Sequence, residues 1–174
     1  TQKASLFLDK TQGANGLMFG PDGRLYACKR DAKQVVAIDI RTKKEEVLTA
    51  GVEPNDLVVT ARGDIYFTEP ATKSVWHLGA DRQRRAVVTE GIERPNGVML
   101  SPDQSLLTVA DTWNKWVWSY QIQPDGSLAN GQPFYHLETG DTSSRSEYDR
   151  ASPRSDTRTS PSSSTRMFAG FRSK

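Results

Sequence analysis

A five-residue phrase returns twice in this chain at nearly constant distance. It reads Asn15-Gly16-Leu17-Met18-Phe19, Asn55-Asp56-Leu57-Val58-Val59 and Asn96-Gly97-Val98-Met99-Leu100, a step of 40 residues from Asn15 to Asn55 and of 41 from Asn55 to Asn96. A period of this length marks an array of like units, each able to bury its faces only against its neighbours. Function in such an array belongs where equivalent positions of successive units converge.

The residues after each phrase repeat as well. Asn15 leads through Pro21-Asp22-Gly23 to Leu25-Tyr26-Ala27-Cys28, Asn55 through Arg62-Gly63-Asp64 to Ile65-Tyr66-Phe67-Thr68, and Asn96 through Ser101-Pro102-Asp103 to Leu106-Leu107-Thr108-Val109. A turn signal between two apolar runs predicts a hairpin, with Pro at the first corner and Gly where φ must be positive. A third run comes next as Val35–Ile38, Ser74–Leu78 and Trp116–Tyr120, rich in β-branched and aromatic residues, and a fourth as Val47-Leu48, Ala86–Val88 and Phe134–His136. Four short strands per unit is the pattern of a propeller blade. The expected fold is therefore all-β, a partial β-propeller of about three four-stranded blades over residues 1–140, with Leu6-Phe7-Leu8 as the outer strand of a preceding blade.

The blade rhythm stops near Glu138. Residues 141–174 hold ten Ser and no Leu, Ile, Val or Trp, a composition that buries too little apolar surface to offset chain entropy, and the segment is expected to be disordered. It also carries seven Lys/Arg against four Asp/Glu, so the net charge of +2 belongs to the tail and the patterned region is close to neutral. That balance gives the blades no electrostatic footprint for nucleic acid. No apolar run reaches the ~18 residues of a membrane span, and Thr1-Gln2-Lys3 carries no secretion signal. A soluble protein is expected, cytoplasmic, or periplasmic if a leader has been removed. Cys28 alone allows neither an internal disulfide nor a multi-cysteine metal site, and a buried strand position suits it.

The innermost strand of each blade lines the central channel, so Asn15, Asn55 and Asn96 would form part of a ring. Amide oxygens are hard donors, and Ca²⁺ takes about six to eight oxygens, carboxylates among them. A ring of Asn completed by one or two carboxylates would hold calcium. Asn before a strand is also a common turn residue, because it tolerates the left-handed region and bonds to nearby backbone. Spacing leaves both readings open.

The phrases Pro54-Asn55-Asp56-Leu57-Val58-Val59, Asp64-Ile65-Tyr66-Phe67-Thr68-Glu69-Pro70 and Arg94-Pro95-Asn96-Gly97-Val98-Met99-Leu100-Ser101-Pro102-Asp103 resemble the gluconolactonase, regucalcin and luciferin-regenerating-enzyme family. The resemblance covers roughly residues 5 to 140 and implies a six-bladed propeller with one divalent cation, calcium or another, in its channel. It implies a metal-ligating role for Asn96, a metal or substrate contact for Asn55, and a structural role for Asn15. Glu69 becomes a candidate substrate contact, although strand-end carboxylates such as Glu69 and Asp111 also cap turns. Asp149 is the counterpart of the family's Asp ligand and proposed general base, while the family's first-blade Glu has no counterpart here. His77 and His136, away from the axis, are not expected to act as bases. Trp113, near a loop, could stack on a ligand.

The implied activity is cation-assisted hydrolysis of a sugar lactone or related ester, with a small-molecule substrate as partner. With one carboxylate ligand missing and Asp149 on a segment without blade pattern, this chain is expected to be a truncated form that binds calcium weakly and has little activity. The alternative is a non-catalytic propeller serving as a binding or scaffold module, and other hydrolytic or condensing activities share the same architecture.

Overall fold

The three Asn phrases open the inner strands of three four-stranded antiparallel sheets in a computed structural model that describes residues 3–138 and 167–168. The strands are β1 (Leu6–Leu8); β2 (Ala14–Phe19), β3 (Leu25–Lys29), β4 (Gln34–Ile38) and β5 (Glu45–Ala50) in the first sheet; β6 (Leu57–Val59), β7 (Ile65–Glu69), β8 (Ser74–Leu78) and β9 (Arg84–Val88) in the second; β10 (Pro95–Leu100), β11 (Leu106–Asp111), β12 (Trp116–Ile122) and β13 (Leu128–His136) in the third; and β14 (Met167–Phe168). Each sheet is a simple meander in chain order, the topology of a blade. The fold is a partial β-propeller. No helix among the described residues is long and apolar enough to cross a membrane.

Both faces of the middle sheet are buried, which explains why its strands read as nearly continuous apolar runs. Along β7, Ile65 and Phe67 join Tyr26, Cys28, Val35, Leu48 and Leu57 in the core between the first two blades. Tyr66, one step out of phase, joins Val75, Val88, Val98, Leu107, Val109 and Tyr120 in the core between the second and third. The period of two along the strand thus distributes side chains between two interfaces. Full burial of a side chain such as Phe67 contributes about 2 kcal/mol. Cys28 sits in the first interface as expected, and burial pushes its thiol well above the ordinary value.

The first sheet's other face, Leu25, Ala27, Val36 and Ile38, packs against Phe7 and Leu8 of β1. β1 itself pairs antiparallel with β14. Met167 and Phe168 therefore form a strand within the segment whose composition predicts disorder, and residues 139–166 and 169–174 lie outside the described residues.

The hairpin turns match the sequence signals. Gly23 and Gly63 hold φ of +76° and +90°, the left-handed region that Gly enters without steric cost. In the third blade the equivalent corner is Gln104, with φ of +58°. Its Oε1 accepts the Ala61 N–H of the neighbouring blade at 2.8 Å, a bond that Gly could not supply.

Blades are tied together near the start of the inner strands. The Gly16 N–H donates to the Asn55 carbonyl at 2.9 Å, and the Val98 N–H donates to Asp56 Oδ2 at 3.0 Å. Gly16 is required by this closeness, because a Cβ there would stand 2.5 Å from Asp56 Cα and Oδ1. At the opposite end of the blades, Tyr66 donates its hydroxyl to the Gly126 carbonyl at 2.9 Å, and the His77 ring lies 5.0 Å from the Tyr66 ring.

His77 is 3% exposed, and its Nε2 has no hydrogen-bond partner although Asp64 Oδ1 stands 3.7 Å away. Burial holds its pKa below the ordinary 6.5; Asp64 opposes that shift and Arg85 adds to it. Below pH 6.5 the unfolded chain takes up a proton that folded His77 resists, so stability falls as pH is lowered through this range. The urea midpoint should drop between about pH 7.5 and about pH 5.5, and His77→Gln should remove much of that drop. A wild-type midpoint that is flat across this range would contradict the assignment.

Candidate functional site

Thr68 brings the site together. This residue is the penultimate one of β7, just before Glu69, and all three of its polar groups are engaged near the axis. Its carbonyl accepts the Asn55 N–H at 2.8 Å, its N–H donates to the Asp56 carbonyl at 2.9 Å, and its hydroxyl donates to the Asn96 carbonyl at 2.6 Å. A single buried residue thereby ties the backbone of Asn55, within its own blade, to that of Asn96 in the next, through its carbonyl and its hydroxyl respectively. The equivalent positions in the first and third blades are Cys28 and Ala110. Thr68 is the only hydroxyl among the three, a signal that the repeat alignment holds.

Asn55 and Asn96 face one small cavity of about 40 Å³, lined also by Arg30, Glu53, Pro70, Ala71 and Arg94. Asn15 lies outside it and is exposed, so the structure joins two members of the repeated triplet and leaves the third apart. The Asn55 Oδ1 is buried without a hydrogen-bond partner. An orphaned buried acceptor costs about 1 to 3 kcal/mol, and this one belongs to a residue that lines the cavity.

Glu69 does not reach into this cavity. It is 5% exposed, its Oε1 accepts the Glu53 N–H at 2.7 Å, and its Oε2 accepts from the Thr72 hydroxyl at 2.7 Å and the Trp76 indole at 2.9 Å. The expected substrate contact is in this structure a positioning residue that holds the segment leading to Asn55. Asp111 repeats the device in the third blade. It is fully buried, its Oδ2 accepts the Glu93 N–H at 2.9 Å, and its Oδ1 accepts the Arg94 and Trp113 N–H groups at 3.0 and 3.2 Å. Burial pushes the Asp111 carboxyl up, but the backbone donors of Glu93, Arg94, Asn114 and Trp113 together hold it below the ordinary range. A carboxylate at a strand end thus organises the segment leading to each of Asn55 and Asn96.

The electrostatics of the cavity are mixed. Glu53 pairs with Lys33 at 3.1 Å, and Lys73 pairs with Glu93 at 2.5 Å, the same turn-to-loop bridge in successive blades. Trp113 is 64% exposed, and the Arg94 guanidinium carbon lies 5.5 Å from the centre of its ring. His77 and His136 stand on β8 and β13, outside the cavity. Asp149, the implied general base and ligand, lies outside the described residues.

The donor set decides how well these residues suit a divalent cation. Asn55 Oδ1 is a hard oxygen lacking a partner, and the Asn96 amide lies on the same cavity. No group of three or more His, Cys, Asp or Glu poised for a metal occurs among the described residues. Two neutral oxygens fit a share of a calcium shell, whose charge must come from carboxylates elsewhere.

The SMP-30/gluconolactonase/LRE-like family model matches residues 1–152. A gluconolactonase from Zymomonas mobilis is 28% identical over 137 residues, a match covering 66% of this chain and 38% of that protein. A lactonase, drp35, from Staphylococcus haemolyticus is 26% identical over 141 residues, covering 72% of this chain and 43% of the relative. Among solved structures, a gluconolactonase from Xanthomonas campestris superposes with a TM-score of 0.65 at 25% identity, over 74% of this chain and 50% of that one. The chain thus spans half or less of the length of these relatives.

If Glu69 positions rather than binds, Glu69→Gln should lower stability by about 1 to 3 kcal/mol in urea unfolding, because an amide NH₂ would face the Trp76 or Glu53 donor. Unchanged stability together with weakened ligand binding would return Glu69 to the role of a substrate contact.

Proposed function

Because the chain belongs to the SMP-30/gluconolactonase/LRE-like family, we propose that it works as a divalent-cation-dependent hydrolase that opens a sugar lactone or related ester. The observation that carries this reading is the buried, unpartnered Asn55 Oδ1 on the cavity shared with Asn96. Asn55 and Asn96 would hold the cation, calcium by the chemistry of their oxygens, with carboxylates completing the shell. Such an ion, when bound, polarises a carbonyl.

The chain's own contribution is positioning. Thr68 locks the two Asn backbones, and Glu69 and Asp111 hold the segments that precede them, so the amides stand in fixed relation before any ligand arrives. Hydrolysis forms a bond from a water oxygen to the lactone carbonyl carbon and breaks the ring C–O bond, and the ring oxygen leaves as a hydroxyl. Asp149 is the carboxylate assigned to take the water proton. A Trp113 ring exposed near the cavity offers an apolar face to a sugar.

The test is a pH-stat assay of gluconolactone opening by a ring in which this chain is joined to the complementary half of the Xanthomonas protein. Hydrolysis above the spontaneous rate, dependent on a divalent cation and lowered about 10- to 100-fold or more by Asn96→Ala, is the expected result. No rate above the spontaneous one, with or without metal, would overturn the reading.

A further inference from the structure

Two guanidiniums, Arg30 from the turn after β3 and Arg94 from the segment entering β10, line the same cavity as Asn55 and Asn96. Neither forms a salt bridge among the described residues, because the nearby carboxylates are committed elsewhere. Glu53, on the cavity wall, pairs with Lys33; Lys73 occupies Glu93; and the Glu69 and Asp111 oxygens are taken by backbone and side-chain donors of their own loops. The Arg94 guanidinium carbon also lies 5.5 Å from the ring centre of Trp113, whose backbone N–H donates to Asp111 Oδ1 at 3.2 Å. An arginine stacked on an aromatic face keeps its N–H edge free, and that edge matches a carboxylate in a planar, two-bond geometry.

The volume sets what part of a ligand enters. About 40 Å³ is little more than the space of one water, room for a carboxylate or hydroxyl and not for a sugar ring. The two guanidiniums on the cavity wall call for an anion.

We propose that the substrate class of this site is an acidic sugar lactone, a polyhydroxylated lactone carrying a free carboxylate that Arg30 and Arg94 bind. The inference rests on the lactone reading of the same cavity and adds the charge of the substrate to it. Any cation held at Asn55 and Asn96 lies beside two positive side chains, and an anionic ligand relieves that repulsion.

Calorimetric titration of the 174-residue chain with the γ-lactones of glucaric and gluconic acid tests it, because the two differ by one carboxylate in place of a hydroxymethyl group. The glucaric lactone should bind at least about tenfold more tightly at low salt, with the gap narrowing as salt is added. Arg94→Ala should erase the difference and Arg94→Lys should keep part of it, both with wild-type circular dichroism, as expected for an exposed side chain. Equal affinity for the two lactones in the wild-type chain would overturn this proposal and leave the lactone reading intact. Binding of neither by the chain would also overturn this proposal, while the lactone reading is decided by the completed ring.

Discussion

Hydrogen bonds that cross from blade to blade beside the axis are the constraint on which the site depends. A four-stranded sheet satisfies its own backbone, but the pairing of β2 with β3 is irregular between Ala14 and Leu17 and that of β10 with β11 between Pro95 and Val98, and groups there find partners next door. Here Gly16 donates to the Asn55 carbonyl, Val98 donates to Asp56, and the Thr68 hydroxyl donates to the Asn96 carbonyl. The apolar interfaces hold the blades face to face; these directional bonds set where along and around the axis each Asn comes to rest. Without them the two amides would be neighbours in the repeat and not in space.

Much of the architecture is legible in the sequence because burial on both faces imposes a plain signature. The runs at Leu25–Cys28 and Ile65–Phe67 are apolar at successive positions since alternate side chains enter different interfaces, and the Gly-bearing corners mark the hairpins. The site is legible only in part. The repeat marks Asn55 and Asn96, yet it marks Asn15 equally, and only the placement of the blades separates an exposed Asn from two that share a cavity. Glu69 shows a deeper limit. A carboxylate at a strand end looks the same in sequence whether it faces a substrate or the N–H of Glu53, because its partner lies 16 positions back and depends on the path of the loop between blades. Arg30 and Arg94 carry no sequence signal for a similar reason, coming from different blades with no shared motif, and the pairing of β1 with Met167–Phe168 joins segments that composition treats as unrelated.

The polar residues around the axis divide by what they face. Thr68, Asp56, Glu69 and Asp111 spend their hydrogen-bonding capacity on backbone, which makes them parts of the frame. Asn55 Oδ1 and the two guanidiniums are the groups left over. A buried acceptor that the protein does not satisfy is where a ligand gains most, since its desolvation has already been met in folding, whereas Arg30 and Arg94 are exposed and offer charge. In the function proposed, that division puts the chemistry on the amides and arginines and leaves the carboxylates of the strand ends as support.

If cross-blade hydrogen bonds fix the relation of Asn55 to Asn96, the Val98 amide reports on them most directly. Hydrogen exchange read out by NMR should find this amide protected to a level near that of the β7 core amides, with Asp56→Ala accelerating exchange at Val98 and Leu57 while Phe67 stays protected. A Val98 amide that exchanges in the wild-type chain as fast as an open loop would contradict the claim.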